Sequence, residues 1–118
     1  MTASHPMHIL IVDDEDVVRF TLRSFLEHLG HRVSEAADAA SALQVLQEIS
    51  CDLILLGYRL PDLNGLELLS FIRQQDPDIR AVLITGMRDQ AITDRALDLG
   101  VSGFLNKPID LAMRRVLG

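Results

Sequence analysis

Five short apolar runs alternate with stretches of helical periodicity along this chain, and that alternation leaves few folds open. Residues 7–12 are apolar except for His8 and stop at Asp13, Asp14, Glu15 and Asp16. Residues 31–36 form a second run, poorer in apolar side chains and so suited to a sheet edge. Residues 52–56 are almost wholly apolar and are closed by Gly57, then by Pro61, Asp62, Asn64 and Gly65, the composition of a surface loop. Residues 80–85 and 101–105 supply the fourth and fifth runs. Near-continuous apolar strands are expected where both faces of a sheet are covered.

Between the runs the period changes from two to 3.6. Val18, Leu22, Phe25, Leu26 and Leu29 lie on one helical face that Gly30 terminates. Ala39, Leu43, Leu46 and Ile49 make a second face, with Asp38 and Ser41 placed to cap it. Gly65, Leu68, Leu69 and Ile72 make a third, ending before Pro77. Ile92, Ala96 and Leu99 make a weaker fourth, stopped by Gly100, and residues 109–117 suit a short final helix. The pattern predicts an α/β fold: a doubly wound, five-stranded parallel sheet with helices on both faces, built from five βα units.

The composition narrows the setting. At 118 residues the expectation is a single domain spanning 1–118. A formal charge of −6 disfavours non-specific nucleic-acid binding and anionic membrane surfaces, both of which attract basic patches. The lone cysteine, Cys51, has no internal disulfide partner, and no stretch has the character of a signal peptide or a membrane span, so a cytoplasmic location is expected. Cys51 reads as a structural residue at a strand entrance. His5, His8, His28 and His31 show no metal-ligand spacing with acids or cysteine and read as surface or packing residues.

In open parallel sheets the ligand site lies beyond the carboxyl ends of the strands. The residues at those ends are Asp13 and Asp14, Gly57, Thr85 and Lys107. Adjacent acids after a buried strand repel each other and call for a cation. Lys107 is the single lysine among eleven basic residues, and a compact ammonium suits a small phosphate pocket better than a guanidinium fork.

With ILIVDDE (9–15), LILLGYRLPDLNG (53–65), VLITG (82–86) and GFLNKP (103–108) in this order, the chain resembles bacterial response-regulator receiver domains over essentially its whole length. The resemblance implies a flavodoxin-like fold and a role in two-component phosphorelay signalling. It implies a magnesium ion held by Asp13, Asp14 and the backbone carbonyl of Arg59, and phosphoryl oxygens held by Thr85 and Lys107. It also implies a switch that couples Thr85 to Phe104, a cis peptide at the proline after Lys107, and an output face formed by helix four, strand five and helix five. The partner met there would be a protein, such as a histidine kinase, a phosphotransfer protein or an effector. The domain itself would be a signalling module and not an enzyme, binding neither nucleic acid nor membrane.

One position departs from the pattern. The acceptor aspartate of the family falls at Gly57, and glycine offers neither a nucleophile nor a metal ligand. Phosphorylation there is impossible, and magnesium should be bound weakly or not at all. Lys107 should turn to Asp13 or Asp14. The expected product is a phosphorylation-independent interaction module or a signalling-dead receiver. If the chain is whole it acts alone; an effector domain could also follow Gly118. The alternative from another class is a haloacid-dehalogenase-type phosphatase, for which Asp14 to Val18 (DEDVV) supplies a nucleophile at Asp14 and a general acid at Asp16. Turnover of a generic phosphate ester with magnesium separates the two.

Overall fold

The strand that carries Gly57 lies at the centre of the sheet, and every residue in it is buried. The computed structural model describes residues 4–86 and 89–109. Along the chain run β1 (His8–Val12), α1 (Asp16–His28), β2 (Arg32–Ala36), α2 (Ala39–Glu48), β3 (Leu53–Gly57), α3 (Gly65–Gln75), β4 (Arg80–Thr85), α4 (Gln90–Asp98) and β5 (Gly103–Asn106). All pairings are parallel and the strand order is β2-β1-β3-β4-β5, the doubly wound arrangement expected from the alternation. The poorly apolar β2 is an edge, as its composition predicts. β5 begins at Gly103 and not at Val101, whose amide instead closes the end of α4 by donating to Ala96 O at 3.0 Å. Beyond Ile109, the expected final helix lies outside the described residues.

The pleat divides the core in two. Ile9, Ile11, Leu53, Leu55, Val82 and Ile84 face α1 through Val18, Leu22 and Leu26. Leu10, Val12, Ile54, Leu56, Ala81 and Leu83 face the opposite layer, which α2, α3 and α4 cover. Alternate residues of one strand thus serve both layers, which is why the runs are continuously apolar.

The helix ends follow local chemistry. Asp38, not Ser41, caps α2: its carboxylate accepts from the Ser41 amide at 2.7 Å. Asn64 and Glu67 form a reciprocal capping box at the start of α3, with contacts of 2.9 and 3.0 Å. Asp62, in the β3–α3 loop, reaches across to accept from the amides of Ala39 and Ala40 at 2.9 and 3.0 Å. The loop that leaves Gly57 is therefore anchored to α2. Among the described residues no helix is long and apolar enough to cross a membrane.

Candidate functional site

Strand order reverses between β1, which is followed by its neighbour β2, and β3, on the other side of β1. Ligands of such sheets bind in the crevice outside the strand ends at this switch point. Val12 pairs with Leu56, so the residues next in line, Asp13 and Gly57, stand side by side at the crevice. A Cβ at position 57 would lie 2.7 Å from Asp13 Oδ2 and 3.2 Å from the carbonyl oxygen of Val12. The Asp13 carboxylate has settled against the space that a side chain at 57 would claim.

Asp13 is fully buried. Its Oδ1 accepts from the Glu15 amide at 2.9 Å, and its backbone carbonyl accepts from the Arg19 guanidinium at 2.5 Å. Its Oδ2 is buried without an aligned hydrogen bond. The counter-charge is Lys107, whose Nζ lies 3.0 Å from Oδ2 as an ion pair and donates to Glu15 Oε1 at 2.5 Å. Burial by itself would lower the pKa of Lys107. The hydrogen bond to Glu15 and the adjacent Asp13 charge outweigh it and hold the ammonium above the ordinary lysine range.

Arg19 extends the network outward by pairing with Asp16 and, at 3.0 Å, with Glu35, which also receives Arg23. The acidic turn is thus gripped from two sides by the chain's own cations.

Asp14 points to solvent, beside Asp13 and Glu15. These three acids offer ligand oxygens within 4.8 Å of one another. Thr85 is buried at the end of β4, and its carbonyl accepts from the Lys107 amide at 3.1 Å. That bond fixes the lysine backbone opposite Asp13. The Lys107–Pro108 peptide is cis. Phe104 packs half-buried against the α2–α3–α4 side of the core. Arg59 bridges to Asn64 across the β3–α3 loop. Gly65 is forced by proximity, because a Cβ there would come within 2.2 Å of the Gly57 carbonyl oxygen.

The rim therefore brings Asp13, Asp14, Gly57, Thr85 and Lys107 together. Lys107 takes Asp13 rather than Asp14, and adds Glu15. The sequence shows Glu15 only as one of four successive acids after the first strand, and nothing in its pattern singles out Arg19. The outlying residues behave as packing elements: His8 Nε2 meets Ser34 Oγ at 2.8 Å, and His31 Nδ1 accepts from the Met7 amide. The thiol of Cys51 donates to Leu53 O at 3.0 Å, and burial raises its pKa.

A five-stranded sheet in this order, with an acidic turn facing a lysine across the central strand end, is the receiver architecture, and the comparisons agree. The family model of the response regulator receiver domain matches residues 9–115, and the chain belongs to that family. Among curated relatives, it is 37% identical over 106 residues to the TorCAD operon transcriptional regulatory protein TorR of Escherichia coli K12, covering 90% of this chain and 46% of that protein. The chain thus spans less than half the length of that relative. It is 32% identical over 116 residues to Protein CcdB of Bacillus subtilis, covering 93% of this chain and 97% of that one. Among solved structures, the signal receiver domain of an HD domain-containing protein from Pseudomonas fluorescens Pf-5 superposes with a TM-score of 0.84 at 33% identity, over 99% of this chain and 90% of that one. The chemotaxis protein CheY4 of Vibrio cholerae shares the fold with a TM-score of 0.90 at 24% identity, over 96% and 97%.

Proposed function

We propose that this response-regulator receiver domain, one domain over 1–118, works without an aspartyl phosphate at position 57. It is a cytoplasmic protein-interaction module of a two-component system and not an enzyme. The observation that carries this reading is the triad of Gly57, Asp13 and Lys107. The position that would accept the phosphoryl group has no side chain, and the lysine that would hold a phosphoryl oxygen is already paired with a buried carboxylate. With no phosphoryl group at position 57 for Thr85 and Phe104 to respond to, the face of α4 and β5 meets its protein partner in one conformation; the fifth helix expected in that face lies outside the described residues.

Magnesium fits this site poorly. The family's donor set here reduces to Asp13, Asp14 and the Arg59 carbonyl, and the buried oxygen of Asp13 already faces an ammonium at 3.0 Å. Glu15 could replace the lost carboxylate only by leaving Lys107. Weak binding is the expectation, and no step of the function runs through the ion. The phosphatase alternative has less support: Asp16, its general acid, is engaged by Arg19 on the exposed side of α1, and the receiver family model spans the same residues.

Beryllofluoride, a phosphoryl mimic that needs an acceptor carboxylate and magnesium, tests the reading. Amide resonances near Thr85 and Phe104 should stay fixed when it is added to this chain and should shift in a Gly57→Asp version. Shifts at Thr85 and Phe104 in the unaltered chain would contradict a phosphorylation-independent role.

A further inference from the structure

At the end of the sheet opposite the acidic rim, a cleft of about 570 Å³ opens between the C-terminal halves of α2 and α3, beneath the entrance to β3. Its size falls in the roughly 300–1,000 Å³ range of ligand clefts. Leu46, Ile72 and Ile79 make its apolar floor, and Phe71, 51% exposed, stands on the rim. We infer that this cleft is a docking groove for a basic amphipathic helix of a partner protein, which would seat apolar side chains between α2 and α3 and set arginine or lysine against Glu48 and Asp76 at its edge. Position 57 has no part in it, so the inference goes beyond the function proposed above.

Charge decides the occupant. The lining holds Glu48 and Asp76 and no basic side chain. Asp76 lines the cleft beside Cys51, and its Oδ1 is fixed there by accepting from the Asp78 and Ile79 amides at 3.3 and 3.1 Å. Two helices also end here, α2 at Glu48 and α3 at Gln75, and helix C-termini carry partial negative charge that attracts cations. The last turn of α2 has no basic residue to answer it. The last turn of α3 has Arg73, but that guanidinium turns away to the carbonyls of Leu99, Pro77, Ile79 and Gly100. The arginines of α1 are likewise taken up by Glu35, Asp16 and Glu27. A groove between two helices presents the ridge-and-groove surface that a third helix packs against.

The test uses the full chain and a synthetic helical peptide of about 18 residues, long enough to hold a helix. It carries Leu and Phe on one face, spaced i, i+3, i+4 and i+7, with arginines flanking them. The readouts are fluorescence anisotropy, amide shift mapping and the alkylation rate of Cys51, the chain's single thiol. Saturable binding is expected, with shifts confined to residues 43–51 and 71–79 and slowed alkylation of Cys51. Glu48→Arg should weaken it at least about threefold and Phe71→Ser about tenfold, a 1.4 kcal/mol effect. Both positions are exposed, so neither change should unfold the chain. A peptide with glutamate in place of arginine should bind at least about tenfold more weakly. Absence of saturable binding, shifts mapping to Asp13–Glu15 instead, or equal binding of the acidic peptide would overturn the inference; an uncharged apolar dye competing with no dependence on Glu48 would mark a small-molecule cleft instead.

Discussion

The carboxylate of Asp13 borders the side-chain position of Gly57: a Cβ on the glycine would sit 2.7 Å from Asp13 Oδ2. The Asp13 carboxylate stands where a side chain at position 57 would go, and Lys107 pairs with it at 3.0 Å.

Gly57→Ala tests that arrangement. Removing a strand glycine should add about 0.5–1 kcal/mol through the unfolded chain. Here the new methyl must push a buried carboxylate away from its counter-charge, and poor satisfaction of a buried charged group costs about 1–3 kcal/mol or more. The second effect should win. Chemical denaturation is expected to show a net loss of about 1 kcal/mol; a gain in stability would mean that Asp13 is free to leave.

Lys107→Met removes the counter-charge. Asp13 is fully buried and Lys107 is 22% exposed, so the loss should fall near the lower end of the range for broken buried pairs, about 3 kcal/mol. Its pH dependence has a defined sign. The folded-state pKa of Lys107 is raised, so its contribution is fully present below the ordinary lysine value of 10.5 and fades as pH climbs through the higher folded value. The gap between the unaltered chain and the variant should be flat through neutral pH and narrow only above about pH 10.5. A gap that closed near neutrality would show that another group holds Asp13.

Magnesium should do little to the melting temperature. An ion at a concentration equal to its Kd adds only about 0.4 kcal/mol, so a weak site stays nearly silent at millimolar levels. The response should grow in Lys107→Met, where Asp13 and Glu15 are released to the ion. A strong rise in the unaltered chain would contradict the lysine-locked arrangement.

Gly65→Ala should be among the most damaging small changes in the molecule. Its Cβ would meet the Gly57 carbonyl oxygen at 2.2 Å, a backbone atom of a fully buried strand that cannot swing aside. A loss of about 1–3 kcal/mol is expected from this overpacking, read by thermal or chemical unfolding.

Asp62 ties the loop after Gly57 to α2, and the amides of Ala39 and Ala40 hold its pKa below the usual aspartate value. A depressed carboxylate contributes stability above its unfolded pKa and loses it as pH falls through the folded one. Asp62→Asn should therefore flatten the acid limb of the stability curve. An unchanged limb would show that the loop is held by something else.

Much of this architecture was legible in the sequence, because a sheet covered on both faces writes itself as apolar runs, and the helical faces at Val18, Leu22 and Leu26 or at Leu68, Leu69 and Ile72 repeat with the right period. The rim residues followed from where those runs stop. What the pattern could not say is which of four successive acids turns inward. That depends on the turn after Val12, where the Glu15 amide binds Asp13 and leaves Asp14 in solvent. Leu66 was missed because it lies off the periodic stripe yet is buried beneath the β3–α3 loop side of the core. Asp62 at the start of α2 and Arg73 on the carbonyls near Gly100 are contacts 22 to 27 residues apart, invisible to any local period. The cleft between α2 and α3 was likewise out of reach, since it exists only once two helix ends meet.

The most direct test is the intact mass of the chain after incubation with magnesium and a small phosphoryl donor, beside the Gly57→Asp version. A phosphoryl group gained by the restored version alone is the expected result, and it would mean that Thr85, Lys107 and the acidic turn remain competent around a silenced position. A phosphoryl group on the unaltered chain would contradict the proposal, because another acid of the rim would then be serving as acceptor.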